Sequence, residues 1–199
     1  MSEIKNFDTG IPIESGIKII NLDPKENILN KKKIRNILKK ISESNFDDLS
    51  HNIKNAYHEN AEIYAFHPVN ELKGVDEIID TLWKPLIYSF PDLERRDNLI
   101  IGGSFQNRVY VSTVGHLTGT FAHPWLGVPS NGKTIHLRIC EVHQIENEKI
   151  INSHILIDIM DFIRQAGFWP INPSLGVEEM WPGPITGLSL IHISEPTRL

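Results

Sequence analysis

Residues 134–159 read TIHLRICEVHQIENEKIINSHILIDI, and this stretch decides the fold. Two apolar runs rich in isoleucine, 134–145 and 150–159, flank the polar segment Glu146–Lys149. Apolar strands on either side of a short polar turn predict an antiparallel β-hairpin.

The register of this hairpin determines which polar side chains share a face. A turn at Asn147 and Glu148 places Ile145 opposite Ile150. Counting back in twos then predicts the pairs His143–Asn152, Glu141–His154, Ile139–Leu156 and Leu137–Asp158. One face would hold Glu141, His143, His154 and Asp158, and the other would hold His136, Arg138, Cys140, Val142, Ile151, Ile155 and Ile157.

Polar side chains on an apolar sheet face lose solvation when they are buried, so a pocket would explain them. A partly wetted face is the alternative. Glu141 and His154 could also simply satisfy one another as a cross-strand pair, worth under about 1 kcal/mol.

Upstream of the hairpin, the spacing of apolar residues changes from helical to strand-like. Apolar residues keep helical spacing from Ile28 to Ile41. A second helix is predicted to begin after Asn45, its N-cap, and to run to Tyr57. A third runs from Val75 to Phe90, and Pro85 should kink or end it near Lys84. Strand character begins at Leu99 and includes residues 108–114. The order of helices followed by strands favours an α+β fold.

Composition excludes several classes of protein. The 199 residues carry a net charge of −5 with no large basic block, so nucleic acid is not an expected partner. No apolar run approaches the roughly 18 residues of a membrane-spanning helix. The single cysteine, Cys140, rules out a disulfide framework and a cysteine-rich zinc site, which favours a reducing, cytoplasmic setting. The histidines lack ligand spacing, so no metal site is expected.

The two ends of the chain read differently from its middle. Residues 1–27 contain Gly and Pro without a sustained period and are predicted to form an irregular N-terminal arm. Residues 188–198 resemble a translated sequencing adapter, so 188–199 are interpreted as a non-native assembly artefact. The Pro- and Gly-rich residues 171–187 are then expected to be the truncated start of a further segment, which leaves 28–170 as one domain.

Five ordered motifs within 28–170 carry a family resemblance. They are Phe90–Arg96, Gly115–Phe121, Trp125–Lys133, Arg138–His143 and Asp158–Gly167. Together they resemble the SnoaL-like polyketide cyclases, also called predicted ester cyclases, of the nuclear-transport-factor-2-like superfamily. The resemblance implies a cone in which a strongly curved mixed β-sheet wraps around N-terminal helices and encloses a pocket.

The resemblance also implies a reaction. Members of the family close a polyketide ring by an intramolecular aldol condensation, without metal or organic cofactor, and an acidic side chain serves as general acid and base. By its spacing to the following Gln-Ala-Gly, that role falls on Asp158. His154 could orient Asp158 or polarise a carbonyl, and Glu141 could fix the histidine tautomer.

The expected ligand is an apolar small molecule that bears a carbonyl group, and the expected assembly is a homodimer. Candidate substrate-binding residues are His116, His143, Trp83, Phe90, Trp125 and His67.

Two other functions fit the same residues. Epoxide hydrolysis would use two carboxyl groups flanking one pocket, for which Asp158 and Glu141 are the candidates. A non-catalytic ligand-binding or dimerisation module is the other alternative.

Overall fold

The first two helices follow the apolar spacing of the sequence. In the computed structural model, which describes residues 23–169 and residue 172, helix α1 begins at Pro24 and ends at Ser42. The predicted irregular arm of residues 1–27 is therefore too long, because residues 24–27 are helical. Residues 1–22 of that arm lie outside the described part of the chain, as do nearly all of residues 171–199. Asn45 caps α2 as predicted, since its Oδ1 accepts a hydrogen bond from the Asp48 backbone N at 2.8 Å.

The remaining elements complete an α+β architecture. Their bounds are α2 Phe46–Ala56, β1 Tyr57–Ala65, β2 Glu71–Lys73, α3 Val75–Glu77, a π-helix Ile78–Trp83, α4 Lys84–Ser89, β3 Glu94–Phe105, β4 Arg108–Thr120, β5 Thr134–Glu146, β6 Lys149–Ile157 and α5 Ile159–Gln165. Pro85 does not end the helical segment; the helix changes there from π to α at Lys84 and continues to Ser89.

The six strands form one mixed sheet in the order β2-β1-β6-β5-β4-β3. β1 and β6 are parallel, and every other neighbouring pair is antiparallel. The predicted β5–β6 hairpin is confirmed, with Asn147 and Glu148 at positive φ in its turn. β1 and β2 were not predicted, and β3 begins five residues before Leu99.

The helices pack on one face of the sheet, here called the inner face. Buried residues of β5, such as Leu137 and Ile139, alternate with more exposed ones, and they meet Leu38 and Ile41 of α1 and Leu49 of α2 in one hydrophobic core. This arrangement is the expected cone of helices held by a mixed sheet. The outer face carries the alternate side chains.

The C-terminal helix α5 closes one end of the core. Its Gln165 pairs with the backbone of His136 as a strand would, because the side chain accepts from the backbone N at 2.9 Å and donates to the carbonyl at 2.8 Å. Its Phe162 lies against Trp125 and Phe121, with ring centroids 5.1 and 5.2 Å apart. These contacts fix the position of α5 relative to β5.

Near α5, His116 is buried on the outer side of β4. Arg138 of β5 and Arg96 of β3 lie opposite it in the two ladders, His136 is near, and Asp161 of α5 is the opposing acidic group. Burial lowers the pKa of His116 below its ordinary range, the positive charges of His136 and Arg138 lower it further, and Asp161 opposes the shift.

The position of Leu38 predicts a large loss of stability on truncation. Leu38→Ala removes a side chain that is 0% exposed and should lower the free energy of unfolding by about 2–5 kcal/mol in urea titrations. The matched change Leu29→Ala on the same helix, at a leucine that is 57% exposed, should cost under about 0.5 kcal/mol. Equal losses would contradict this packing of α1.

The depressed pKa of His116 predicts acid-sensitive stability. Because the unfolded chain binds a proton at this histidine more readily than the folded chain, the contribution is fully present above about pH 6.5 and is lost as pH falls through the lower folded pKa. We expect His116→Gln to lose less stability than the wild type between pH 7.5 and 5, measured by urea midpoints. His58→Gln, at an exposed histidine, should behave like the wild type.

Candidate functional site

A bulge in β6 changes which side chains of the hairpin share a face. Ile145 pairs with Ile150 as predicted, but Gln144 pairs with Asn152, so Ile151 is an extra residue in β6. From there on the register is displaced by one, and the predicted pairs His143–Asn152, Glu141–His154 and Ile139–Leu156 are wrong. Glu141 lies opposite Ile155, His143 opposite Ser153 and Ile139 opposite Ile157.

This displacement reverses the faces of β6 because side chains alternate along a strand. Glu141 and His143 are on the inner face, whereas His154 is exposed on the outer face and stacks on Tyr64, with ring centroids 5.1 Å apart. Ile155 and Ile157, predicted to face away from Glu141, share its inner face. The predicted grouping of Glu141, His143, His154 and Asp158 on one face does not form.

Asp158 lies beyond the end of β6, not in a ladder pair with Leu137. Its Oδ1 accepts from the Asp161 backbone N at 2.9 Å and caps α5. Its Oδ2 lies 2.8 Å from Arg138 Nη2. The carboxylate is thus engaged by an arginine and a helix terminus, and its side chain remains 37% exposed.

Asp158 borders an open groove on the outer face. The groove has a volume of about 680 Å³, with mostly apolar walls, and His67, Arg138 and Asp158 are its polar residues. The other lining residues are Phe66, Val114, Gly115, Ile139, Cys140, Leu156, Ile157, Ile159 and Met160. Of the predicted site residues, the structure therefore brings Asp158 and His67 together here.

A second group of predicted residues meets on the inner face, around a buried ion pair. Arg95 of β3 donates from Nη2 to Glu141 Oε2 of β5 and, at 2.8 Å, to Thr113 Oγ1 of β4. Its Nε donates to Asp97 Oδ1 at 2.8 Å, and Thr113 Oγ1 donates to Glu141 Oε2 at 3.0 Å. Three neighbouring strands thus place one guanidinium between two carboxylates.

Glu141 is held in its charged form. Burial alone would raise its pKa, but the positive charge of Arg95, helped by the nearby His143, outweighs burial and brings the pKa far below the ordinary range of a glutamate. Near neutral pH the Glu141 carboxylate therefore has no proton to donate. Glu141 is therefore a fixed negative charge rather than a general acid.

His143 is the titratable neighbour of that charge. Its Nδ1 lies 2.8 Å from Ser153 Oγ across the ladder, and its Nε2 lies 3.6 Å from Glu141 Oε2. The serine fixes the orientation of the ring, which leaves Nε2 on the side of the Glu141 carboxylate.

Two further donors complete the group, Tyr57 at the start of β1 and Trp83 at the end of the π-helix. Burial raises the pKa of Tyr57 above its ordinary range and the charge of Glu141 adds to this, while Ser153, Arg95 and Trp83 oppose part of the rise. The phenol therefore stays protonated and can donate a hydrogen bond. We call Tyr57, Trp83, Arg95, Asp97, Thr113, Glu141, His143 and Ser153 the inner cluster.

Four nitrogen and oxygen atoms of the inner cluster have no hydrogen-bond partner within the described residues. They are Tyr57 Oη, Trp83 Nε1, Arg95 Nη1 and His143 Nε2. Each buried polar group left in this way costs about 1–3 kcal/mol. Buried polar groups without a partner are uncommon in folded proteins, so four of them in one cluster mark a candidate site.

Trp83 is the last residue of the π-helix. Ile78, Ile79, Leu82 and Trp83 are the buried residues of this six-residue element. π-Helical turns are rare and occur often at functional sites.

The other predicted residues lie elsewhere. Phe90 and Trp125 pack in the aromatic core with Phe121 and Phe162, and His116 lies beside α5. Arg95 and Tyr57 of the inner cluster were not predicted as site residues from the sequence. Arg95 stands in the quoted Phe90–Arg96 motif, but only the pairing of β3 with β4 and β5 brings it to Glu141.

The described residues contain neither a metal-binding group of side chains nor a membrane-spanning helix. In residues 23–169, no three His, Cys, Asp or Glu side chains are grouped so that they could hold a metal ion. No helix of that same part of the chain is long and apolar enough to cross a membrane.

Solved structures of low sequence identity share the fold. A candidate SnoaL-like polyketide cyclase from Jannaschia sp. CCS1 aligns with a TM-score of 0.60 at 15% identity, covering 77% of this chain and 99% of that one. AclR, a candidate hydroxylase from Streptomyces galilaeus, aligns with a TM-score of 0.57 at 16% identity over 74% and 87% of the two chains. IdmH, a candidate polyketide cyclase from Streptomyces antibioticus, gives 0.55 at 15% identity over 69% and 98%.

No curated protein matches the sequence. Residues 35–166 match the family described as SnoaL-like polyketide cyclase, a span that includes Arg95, Glu141, His143 and Asp158. This match covers more than half of the chain and coincides with the helices and strands that form the cone. The chain therefore belongs to the SnoaL-like polyketide cyclase family.

Proposed function

We propose that the chain is a cofactor-independent enzyme that performs acid/base chemistry on an apolar small molecule bearing a carbonyl group. The reaction would be an aldol-type cyclisation or a related isomerisation. The observation that carries this proposal is the set of four unpartnered polar atoms around His143 and Glu141 in the inner cluster.

In the proposed mechanism His143 takes the proton from the carbon next to the substrate carbonyl. The C–H electron pair moves into a C–C double bond, and the carbonyl electrons move onto oxygen to form an enolate. Tyr57 and Trp83 would donate hydrogen bonds to that oxygen. In a cyclisation the enolate carbon would then attack a second carbonyl of the same molecule, forming a C–C bond as the π electrons of that carbonyl move onto its oxygen. Glu141 would stabilise the imidazolium, which returns the proton to this new alkoxide or, in an isomerisation, to a carbon of the enolate.

The acid/base group proposed here differs from the carboxylate expected from the sequence. Glu141 is kept charged by Arg95, so a histidine is the better proton acceptor in the inner cluster. That Asp158 is the catalytic carboxylate, with His154 and Glu141 assisting it, stays a prediction, to be tested against the inner cluster. His154 faces away from Glu141, so it does not contact the inner cluster.

Epoxide hydrolysis is less favoured. It would need two carboxyl groups on either side of one pocket. Glu141 lies on the inner face and Asp158 borders the outer groove, so these two do not flank a common space. A non-catalytic binding module would use the same donors without turnover.

The proposed mechanism predicts exchange of carbon-bound protons. With acetophenone in D2O, the wild type should incorporate deuterium into the methyl group faster than buffer, followed by proton NMR. His143→Gln should slow this exchange at least about 100-fold, because the base is lost, and Tyr57→Phe about 10-fold or more. A wild type no faster than buffer would contradict the proposal.

Asp158→Asn separates the two candidate bases. If the inner cluster is the reacting centre, this variant should retain exchange within about threefold of wild type, since the side-chain oxygen of the introduced asparagine can still accept from the Asp161 backbone N. A loss as large as that of His143→Gln would instead support Asp158. Circular dichroism of each variant controls for folding.

We also propose that the outer face of the sheet is the contact of a homodimer. Two rows of side chains cross neighbouring strands there: Leu99–Val114–Cys140–Leu156 and Ile101–Ser112–Val142–His154–Tyr64. Four strands span about 14 Å, and Leu156 is 63% exposed and Ile101 57%. Large exposed apolar patches mark interaction sites, and two rows without a lysine, arginine or carboxylate side chain suit contact with a second copy of the chain.

The proposed dimer has a direct test. In sedimentation velocity the wild type should run at twice the chain mass, and Leu156→Asp should run as a monomer because it places a charge in the contact. Leu29→Asp, at a similarly exposed leucine on α1, should leave the dimer intact. A wild-type monomer at micromolar concentration would refute the proposal. The cytoplasmic setting stays a prediction from the single cysteine.

A further inference from the structure

Helix α1 concentrates positive charge in a chain that is acidic as a whole. Its 19 residues contain seven basic side chains and one carboxylate, Glu26, so the helix carries a net charge of +6. The whole chain carries −5, because the other 180 residues hold 13 basic and 24 acidic side chains. The seven basic residues of α1 are Lys25, Lys31, Lys32, Lys33, Arg35, Lys39 and Lys40.

Most of these charges are exposed and unpaired. Lys31 is half-buried, and the other six basic side chains of α1 are exposed. Lys33 Nζ lies 2.5 Å from Glu148 Oε1, and Lys39 Nζ lies 3.8 Å from Glu43 Oε1. The other five form no ion pair within residues 23–169. The exposed side of α1 therefore keeps positive charge that no group of this domain neutralises.

Two large apolar side chains stand among these lysines. Ile28 is 48% exposed and Leu29 is 57% exposed, and the positions three and four residues away from each include lysines on both sides. The buried stripe of the helix, formed by Ile34, Leu38 and Ile41, is a separate set that packs in the core. The exposed side of α1 thus combines positive charge with an adjacent apolar pair. We call Lys25, Ile28, Leu29, Lys32, Lys33, Arg35, Lys39 and Lys40 the α1 face.

The α1 face is held in a fixed position. Asn27 Nδ2 donates to the Gly102 carbonyl oxygen of the edge strand β3 at 2.8 Å. A Cβ at Gly102 would collide with Asn27 Oδ1 and Lys31 Cγ, so the glycine allows the close approach of helix and strand. α1 packs on the inner side of the sheet, so a dimer formed through the outer face leaves the α1 face accessible.

The geometry of the apolar pair favours one kind of partner. A helix that binds a protein groove presents apolar residues at intervals of three and four, and α1 already uses that stripe for the core. Ile28 and Leu29 are consecutive, so they point about 100° apart and cannot enter one groove together. A bilayer accepts both, because its apolar interior extends beneath the whole contact and its headgroups supply the negative charge.

We propose that the α1 face docks the protein on a lipid bilayer that contains anionic headgroups. The lysines and Arg35 contact the headgroup phosphates, while Ile28 and Leu29 insert among the upper parts of the acyl chains. The helix lies on the surface and does not span the bilayer. This inference goes beyond the proposed function and does not depend on the inner cluster.

Sedimentation with sucrose-loaded vesicles tests the docking. At pH 7.5, the full chain should bind vesicles of phosphatidylcholine with about 30% phosphatidylglycerol at least about tenfold more tightly than vesicles of phosphatidylcholine alone, since each lysine near an anionic surface contributes about fivefold. Raising NaCl from about 50 to about 500 mM should remove most of this binding, because exposed charges are screened.

Lys32→Glu tests whether the charge of the α1 face is the one that acts. It reverses an exposed charge there and should weaken binding to the anionic vesicles at least about tenfold. Lys133→Glu makes the same change in net charge at an exposed lysine just before β5 and should weaken binding less than about threefold. Equal losses in the two variants would overturn the inference.

Leu29→Ala tests the insertion. It keeps every charge and should weaken binding to the anionic vesicles at least about threefold, because less apolar surface leaves water. Leu99→Ala, at a leucine that is 52% exposed on the outer face, should leave binding unchanged. If Leu29→Ala binds as the wild type does, the face recognises charge alone, and an acidic polypeptide or a nucleic acid becomes the better partner.

Two results with the wild type would overturn the inference directly: equal binding to both kinds of vesicle, or binding to neither. The lipid comparison and the salt series use only the wild type, so they hold even where a variant fails to fold. Circular dichroism identifies such a variant. Loss of vesicle binding in Lys32→Glu with unchanged deuterium exchange would separate this docking from the proposed chemistry.

Discussion

The ion pair between Arg95 and Glu141 is the interaction on which the interior of the cone depends. Burying two charges costs several kcal/mol per ion, and the cost is offset only where further hydrogen bonds satisfy both partners. Here Thr113 contacts both groups and Asp97 contacts the guanidinium. Together with Thr113 the pair joins three strands, and it keeps Glu141 ionised and gives His143 a charged neighbour. Packing, electrostatics and the proposed chemistry therefore all share one contact.

The elements with local signals could be predicted from the sequence, and those formed by distant pairing could not. The apolar spacing of α1, the cap at Asn45 and the polar turn at Asn147 and Glu148 each lie within a few residues. β1 pairs in parallel with β6, which lies more than 85 residues further along the chain. Within β1, the alternation of buried residues is limited to Ala61 and Ile63, so the local strand pattern is weak. Its strand character depends on a partner that local sequence does not reveal.

The candidate site could be predicted only in part, because some of its residues come together through the pairing of distant strands. Glu141 and His143 were correctly placed on one face, since the strand period within β5 is enough to establish that. The predicted face of His154 on β6 was wrong because the pairing of β5 with β6 contains a bulge. Arg95 and Tyr57 come from strands on either side of the hairpin, and no spacing along the chain relates them to Glu141. The family match located the domain, but the side-chain geometry located the cluster.

The extra residue Ile151 has a consequence for comparing this chain with its relatives. An alignment that matches the turn and then counts residues assumes that both strands keep the same parity. A relative that lacks the bulge would present to its interior the residues that align with His154 and Leu156 of this chain, not with Ser153 and Ile155. Functional residues on β6 are therefore transferable between members only after each hairpin has been checked for the insertion. Members with nearly identical motifs can differ in which side chains line the interior.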